Sequence, residues 1–197
     1  MKTVGDTSGD LPTFLFQNPK AWDVWLDRNY SSSPGIWLRL ARKASGVKSV
    51  SYAEALEVAL CYGWIDGQKK GESENAWLQK FTPRAKQSIW SKINREKALA
   101  LIESGRMKTA GFNAIEHAKK DGRWEAAYDS QSAAAVPVDL QAALDKNARA
   151  KSFFATLDSH NRYAVLFRIH TAKKAETRAK RIQKFVEMLE KHEKLHP

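Results

Sequence analysis

The chain has 197 residues, 33 Lys and Arg against 22 Asp and Glu, and a formal net charge of +11. With 43% hydrophobic and 28% charged residues, disorder is not the default, and there is apolar material for one compact domain or a domain with a helical annex. No uncharged apolar run reaches the ~18 residues of a membrane span, and a single cysteine, Cys61, excludes an internal disulfide and a Cys-cluster zinc site.

Residues 1–13 (MKTVGDTSGDLPT) read as a flexible tail of Gly, Ser, Asp, Thr and Pro. They contain no continuous apolar stretch of the secretory-signal kind, so the expected location is the cytoplasm. Asn18-Pro19 opens a helix, Asn capping and Pro at the first helical position, with Trp22, Trp25, Leu26 and Asn29 on one face. Ser31 to Gly35 ends it. Ile36, Leu38 and Leu40 then alternate with Trp37, Arg39 and Ala41, the signature of a strand.

Ser51 and Glu54 make a capping box for a helix whose apolar face holds Tyr52, Leu56, Ala59 and Leu60. Gly63 stops it. Trp64–Lys69 and Ala76–Thr82 read as two strands of a hairpin, ended by Pro83. From Ser91 the period is helical, with helices to about Glu103 and over Thr109–Lys120, stopped at Gly105 and Gly122. Residues 129–138 (DSQSAAAVPV) read as a linker. Helices are expected at 139–145, 148–157, 160–170 and 173–193, the last with Ala175, Ala179, Ile182, Val186 and Leu189 on one stripe. The expected class is α+β: a small antiparallel three-stranded sheet packed with helices over 14–128, then an all-helical part over 139–197.

Sequence motifs for dinucleotide, P-loop, zincin, serine-hydrolase and dithiol chemistry are all absent, so no cofactor, no metal and no catalytic residue is assigned. His192 and His196 stand four apart near the C-terminus, a spacing open to a metal, but no further ligand is fixed nearby, and exposed terminal histidines account for it. Cys61 lies among apolar residues and reads as an inert thiol. Residues 62–95 interleave aromatic and cationic side chains. Here Trp64, Asp66, Arg84, Trp90 and Asn94 form a candidate ligand pocket. Arg84 would hold an anion, the indoles would pack on an organic part, and Asp66 or Asn94 would fix orientation. Packing of the seven Trp and an ion-paired Arg84 is the competing structural reading.

Residues 141–197 hold 13 Lys and Arg against 6 Asp and Glu, +7 of the +11. Lys173, Lys174, Arg178, Arg181 and Lys184 are therefore a second candidate site, for nucleic acid, against the plainer reading of a solvated helix face. A third reading is an enzyme with Asp66 as general base, its pKa raised by burial against Trp64.

Ala59–Gly67, Phe81–Arg84, Ser88–Asn94, Gly105–Met107, Gly122–Trp124 and Ala127-Tyr128 together resemble the YdeI/OmpD-associated, bacteriocin-protection family. So do Ala172–Lys174, Glu176–Arg178 and Arg181-Ile182, which are similar to its helical tail. The resemblance spans about residues 14–193 and implies a link to bacteriocin protection and an outer-membrane porin, with no catalytic residues to carry over. The expected function is a cytoplasmic stress- or protection-type protein binding a small anionic molecule or an acidic protein surface.

Overall fold

The computed structural model describes residues 11–197. The expected tail therefore lies, apart from its last three residues, outside the described residues. The chain divides into two compact units, one running to Trp90 and including Asn94–Ala126, the other formed by Ser91–Ile93 with Ala127–Pro197.

The first unit is built on a mixed four-stranded sheet, which corrects the expected three antiparallel strands while the α+β class holds. Its strands are β1 (Thr13–Phe14), β2 (Ile36–Ala41), β3 (Trp64–Gly71) and β4 (Ala76–Pro83), in the order β1-β2-β4-β3. The extra strand, β1, pairs parallel to β2 through Thr13 with Trp37 and Phe14 with Leu38. Two residues are too few to show a period, which is why alternation did not reveal it. β2 behaves as its alternation requires: Ile36, Leu38 and Leu40 are buried. β3 bulges between Asp66 and Lys69. The buried Gln79 amide donates to the carbonyls of Gly67 (2.9 Å) and Gln68 (3.2 Å), satisfying backbone that the bulge frees from the ladder.

Helices α1 (Pro19–Asn29) and α2 (Tyr52–Cys61) begin where their caps predict. Asn18 Oδ1 accepts from Ala21 N (2.9 Å), and the Ser51–Glu54 capping box closes in both directions. Tyr52 is exposed, so the buried face of α2 is Leu56, Ala59 and Leu60. Trp22 and Leu26 of α1 are fully buried. Trp22 meets the rings of Phe16, Trp64 and Phe81 at centroid distances of 5.2–6.2 Å and donates Nε1 to Ala55 O (3.1 Å). Each such ring removes a large apolar area from water, and these rings are the centre of the unit's core.

Helices α3 (Lys92–Glu103) and α4 (Thr109–Lys120) follow. Two glycines let α4 lie against the end of α2. Gly63 has φ +69, and a Cβ there would sit 2.9 Å from Ala110 O; a Cβ on Gly111 would sit 2.5 Å from Cys61 O. No side chain fits either gap.

The second unit holds α5 (Val138–Asp145), α6 (Ala148–Thr156), α7 (Ser159–His170) and α8 (Ala175–Glu190). Their shared core is aliphatic with two Phe: Leu140, Leu144, Phe154, Val165, Ile169, Ile182, Phe185 and Leu189. Ala134 and Val136, from the stretch read as a linker, pack against it. Asp158 caps α7 by accepting from Asn161 N (2.7 Å). The buried Asn161 side chain donates to His196 O and accepts from His196 N, at 3.2 and 2.9 Å. No helix among the described residues is long and apolar enough to cross a membrane.

Candidate functional site

Of the five residues proposed for the central pocket, Trp64 belongs to the core and Arg84 pairs with Trp90. Trp64 is 1% exposed, edge-on to Trp22 and Trp25, and its Nε1 donates to Tyr30 O (3.0 Å). Its ring is thus core. Asp66, half-buried on β3, accepts from the Tyr52 hydroxyl (2.7 Å). Asn94 is half-buried in the first turn of α3. The structure does bring Arg84 and Trp90 together. The Arg84 guanidinium lies 3.6 Å from the Trp90 ring centroid and donates to Ile89 O (3.2 Å). Trp90 is itself buried edge-on to Trp124, 4.8 Å between centroids. Arg123 closes the same loop from the other side, donating to Ser88 O (2.7 Å) and to both oxygens of Asp121. The guanidinium over the indole and the carbonyl bonds make this pair a staple for the 84–90 loop. Trp90 Nε1 is buried with no acceptor among the described residues; the stack and ring burial offset that cost.

The five cations proposed for nucleic acid also divide. Arg178 forms a two-pronged contact with Asp139 (2.5 and 2.9 Å) and donates to Ile169 O (3.0 Å). That contact holds the Asp139 carboxyl below its ordinary pKa. Arg181 donates to Arg168 O and lies within reach of the Thr171 hydroxyl. Both arginines therefore satisfy carbonyls at the end of α7, the usual task of cations at a helix C-terminus. Lys173, Lys174 and Lys184 are exposed.

A different cluster surrounds Cys61. A cleft of about 290 Å³ is lined by Pro19, Lys20 and Asp23 of α1, Val58 and Cys61 of α2, and Gly105, Arg106 and Lys108 of the α3–α4 connection. The cap at Asn18 and the proline after it fix the turn that presents Lys20 and Asp23. Gly105, at φ +68, ends α3, and the N–H groups of Arg106 and Met107 both return to Leu101 O (3.0 and 3.1 Å). Lys108 N then donates to Cys61 O (3.2 Å), tying the connection to the end of α2.

The charges of the cleft are partly paired. Lys20 reaches Asp23 at 3.2 Å, and Arg106 reaches Glu57 at 2.9 Å. The Lys108 ammonium has no carboxylate partner among the described residues; its nearest aromatic neighbour is Tyr62, at 6.0 Å. Tyr62 donates its hydroxyl to Asp23 (2.9 Å) and Asp27 (3.4 Å). Burial, then the hydrogen bond to Asp23, pushes its pKa well above the ordinary phenol value, so it stays a donor. Burial likewise pushes the Cys61 thiol up, outweighing the opposite pull of Arg106 and Lys108. A protonated thiol is no nucleophile. The cleft is thus suited to holding an anion between fixed donors and cations.

Of these residues, the sequence drew attention to Pro19 as a helix start, Cys61 as an inert thiol and Gly105 as a helix stop, and to Arg106 only within the Gly105–Met107 resemblance. Lys20, Asp23 and Lys108 carried no motif. The available signal was the pair Arg106 and Lys108 immediately after a helix-stopping glycine.

Residues 14–114 match the model of a domain of unknown function (DUF8412), and residues 133–192 match the family described as "Bacteriocin-protection, YdeI or OmpD-Associated". No curated protein and no solved structure matches.

Proposed function

Because the chain belongs to the DUF8412 family and carries a YdeI/OmpD-associated segment at 133–192, we propose that it is a protection-type protein binding a small anion in the cleft around Cys61. The observation that carries this reading is Lys108, a cation without a carboxylate partner among the described residues, beside Arg106 and Lys20 on one concavity. At about 290 Å³ the cleft falls at the low end of the ~300–1,000 Å³ typical of ligand sites. That favours inorganic phosphate or a short carboxylate over a nucleotide. Lys108 and Arg106 would hold the anion, and Asp23, fixed by Tyr62 and Lys20, would accept from a hydroxyl or amine on it.

Nucleic-acid binding through α8 is the weaker reading, since Arg178 and Arg181 are engaged within their own unit. A thermal-shift series with phosphate and small carboxylates tests the preferred one on wild type, Lys108→Ala and Arg84→Ala. The expected result is ligand stabilisation kept by Arg84→Ala and lost by Lys108→Ala. Equal stabilisation of wild type and Lys108→Ala, or none in any protein, rejects it.

A further inference from the structure

A larger concavity, of about 710 Å³, runs between the Phe14–Asn18 segment and the outer side of α1. Its surface is apolar through Phe14, Leu15, Val24 and Trp25. Leu15 and Val24 are 37% and 38% exposed, so the floor is open to solvent along its length. Lys20 and Arg28 flank it, and no carboxylate among the described residues lines it. Lys20 is shared with Asp23. Arg28, exposed in the last turn of α1, has no ion-pair partner among the described residues. An open apolar floor with a rim of one sign is an interaction surface rather than ordinary surface scatter.

The occupant follows from three constraints. An added strand would have to pair with β1, which offers two residues and so almost no ladder. A second copy of this chain, at net charge +11, would bring like charge to a cationic rim. The groove follows α1 from Lys20 to Asn29, about 14 Å at ~1.5 Å per residue. That is the length over which a helix presents anchors at i, i+3 or i+4, and i+7. We propose that this groove docks an acidic amphipathic helix of a partner protein. Its apolar stripe lies on Leu15, Val24 and Trp25, and its carboxylates face Lys20 and Arg28. The groove shares Lys20 with the cleft around Cys61, whereas neither Val24 nor Arg28 lines that cleft.

The test is fluorescence anisotropy with a labelled helical peptide carrying Leu at i, i+3 and i+7 and Glu on both flanks, against its Lys-flanked counterpart. Wild type, Val24→Glu and Arg28→Glu are compared in the full chain, with circular dichroism to establish that each variant is folded. Both changes are at exposed positions. The acidic peptide is expected to bind wild type, more weakly as salt rises, and each variant at least about tenfold more weakly. The Lys-flanked peptide is expected not to bind. Equal binding of both peptides, or of the acidic peptide to wild type and both variants, overturns the proposal. So does a titration in which a medium-chain fatty acid is captured by the groove while the acidic peptide is not.

Discussion

The two units are built from different material. All seven Trp belong to the first unit, where Trp22, Trp25 and Trp64 interlock and Trp90 packs on Trp124. The second unit has none; its helices close on Leu, Ile, Val and Phe. Both units place cations along concavities. In the first unit cations line concavities, as Lys20, Arg28, Arg106 and Lys108 do. In the second, Lys146 and Arg178 line one, and Arg178 and Arg181 are tied to the end of α7. Pairing by itself does not separate the concavity-lining cations of one unit from those of the other.

The largest expected effect that bears on this contrast is at Trp64. Trp64→Ala removes a buried ring and its bond to Tyr30 O, and should destabilise the first unit by about 3–5 kcal/mol. Tryptophan emission reads that unit alone, so its midpoint in denaturant should fall while a late helical transition by circular dichroism persists. Loss of both signals together would mean the units unfold as one body. The reciprocal change, Leu189→Ala, empties a fully buried site in the second unit and should cost about 2–5 kcal/mol. It should move the helical signal and leave the emission midpoint in place.

Next in size is Gly111→Ala. The added methyl meets the Cys61 carbonyl at 2.5 Å, so α4 must shift from α2, at about 1–3 kcal/mol. A variant as stable as wild type would show that the close approach is dispensable. The smallest effect is expected from Arg178→Ala, on the order of 1 kcal/mol at neutral pH, because the Asp139 pair is half in solvent and screened. Asp139 has a depressed pKa in the folded state, so its stabilisation is present above the unfolded value and lost as pH falls through the folded one. The difference between variant and wild type should therefore shrink below about pH 4. Urea melts at several pH values read this directly, and a constant difference would assign the loss to the Ile169 carbonyl bond instead.

Much of the fold could be read from local chemistry. Asn18-Pro19, the Ser51–Glu54 box and the alternation of Ile36, Leu38 and Leu40 each act over a few residues, and each element formed where they placed it. β1 could not be read that way, because two residues become a strand only when β2 arrives beside them. The family resemblance was found in part at 133–192. The cleft around Cys61 was hidden for a related reason: Lys20, Cys61 and Lys108 come from three distant segments and meet only through helix packing. The aromatic and cationic interleaving of 62–95 was visible. Sequence does not show that Trp64 turns into the core while Arg84 lies over the Trp90 ring.

The bulge in β3 has a consequence for how the protein behaves when crowded. β3 is an outer strand of the sheet, and around its irregularity it exposes Gly67, Lys69, Lys70 and Gly71. A kinked rim studded with ammonium groups is a poor template for another molecule's backbone. The strand richest in large apolar residues, β2, is covered by β4 along its length and by β1 at Trp37 and Leu38. Concentrated solutions should accordingly resist fibre growth from this sheet, and straightening the rim would remove that protection.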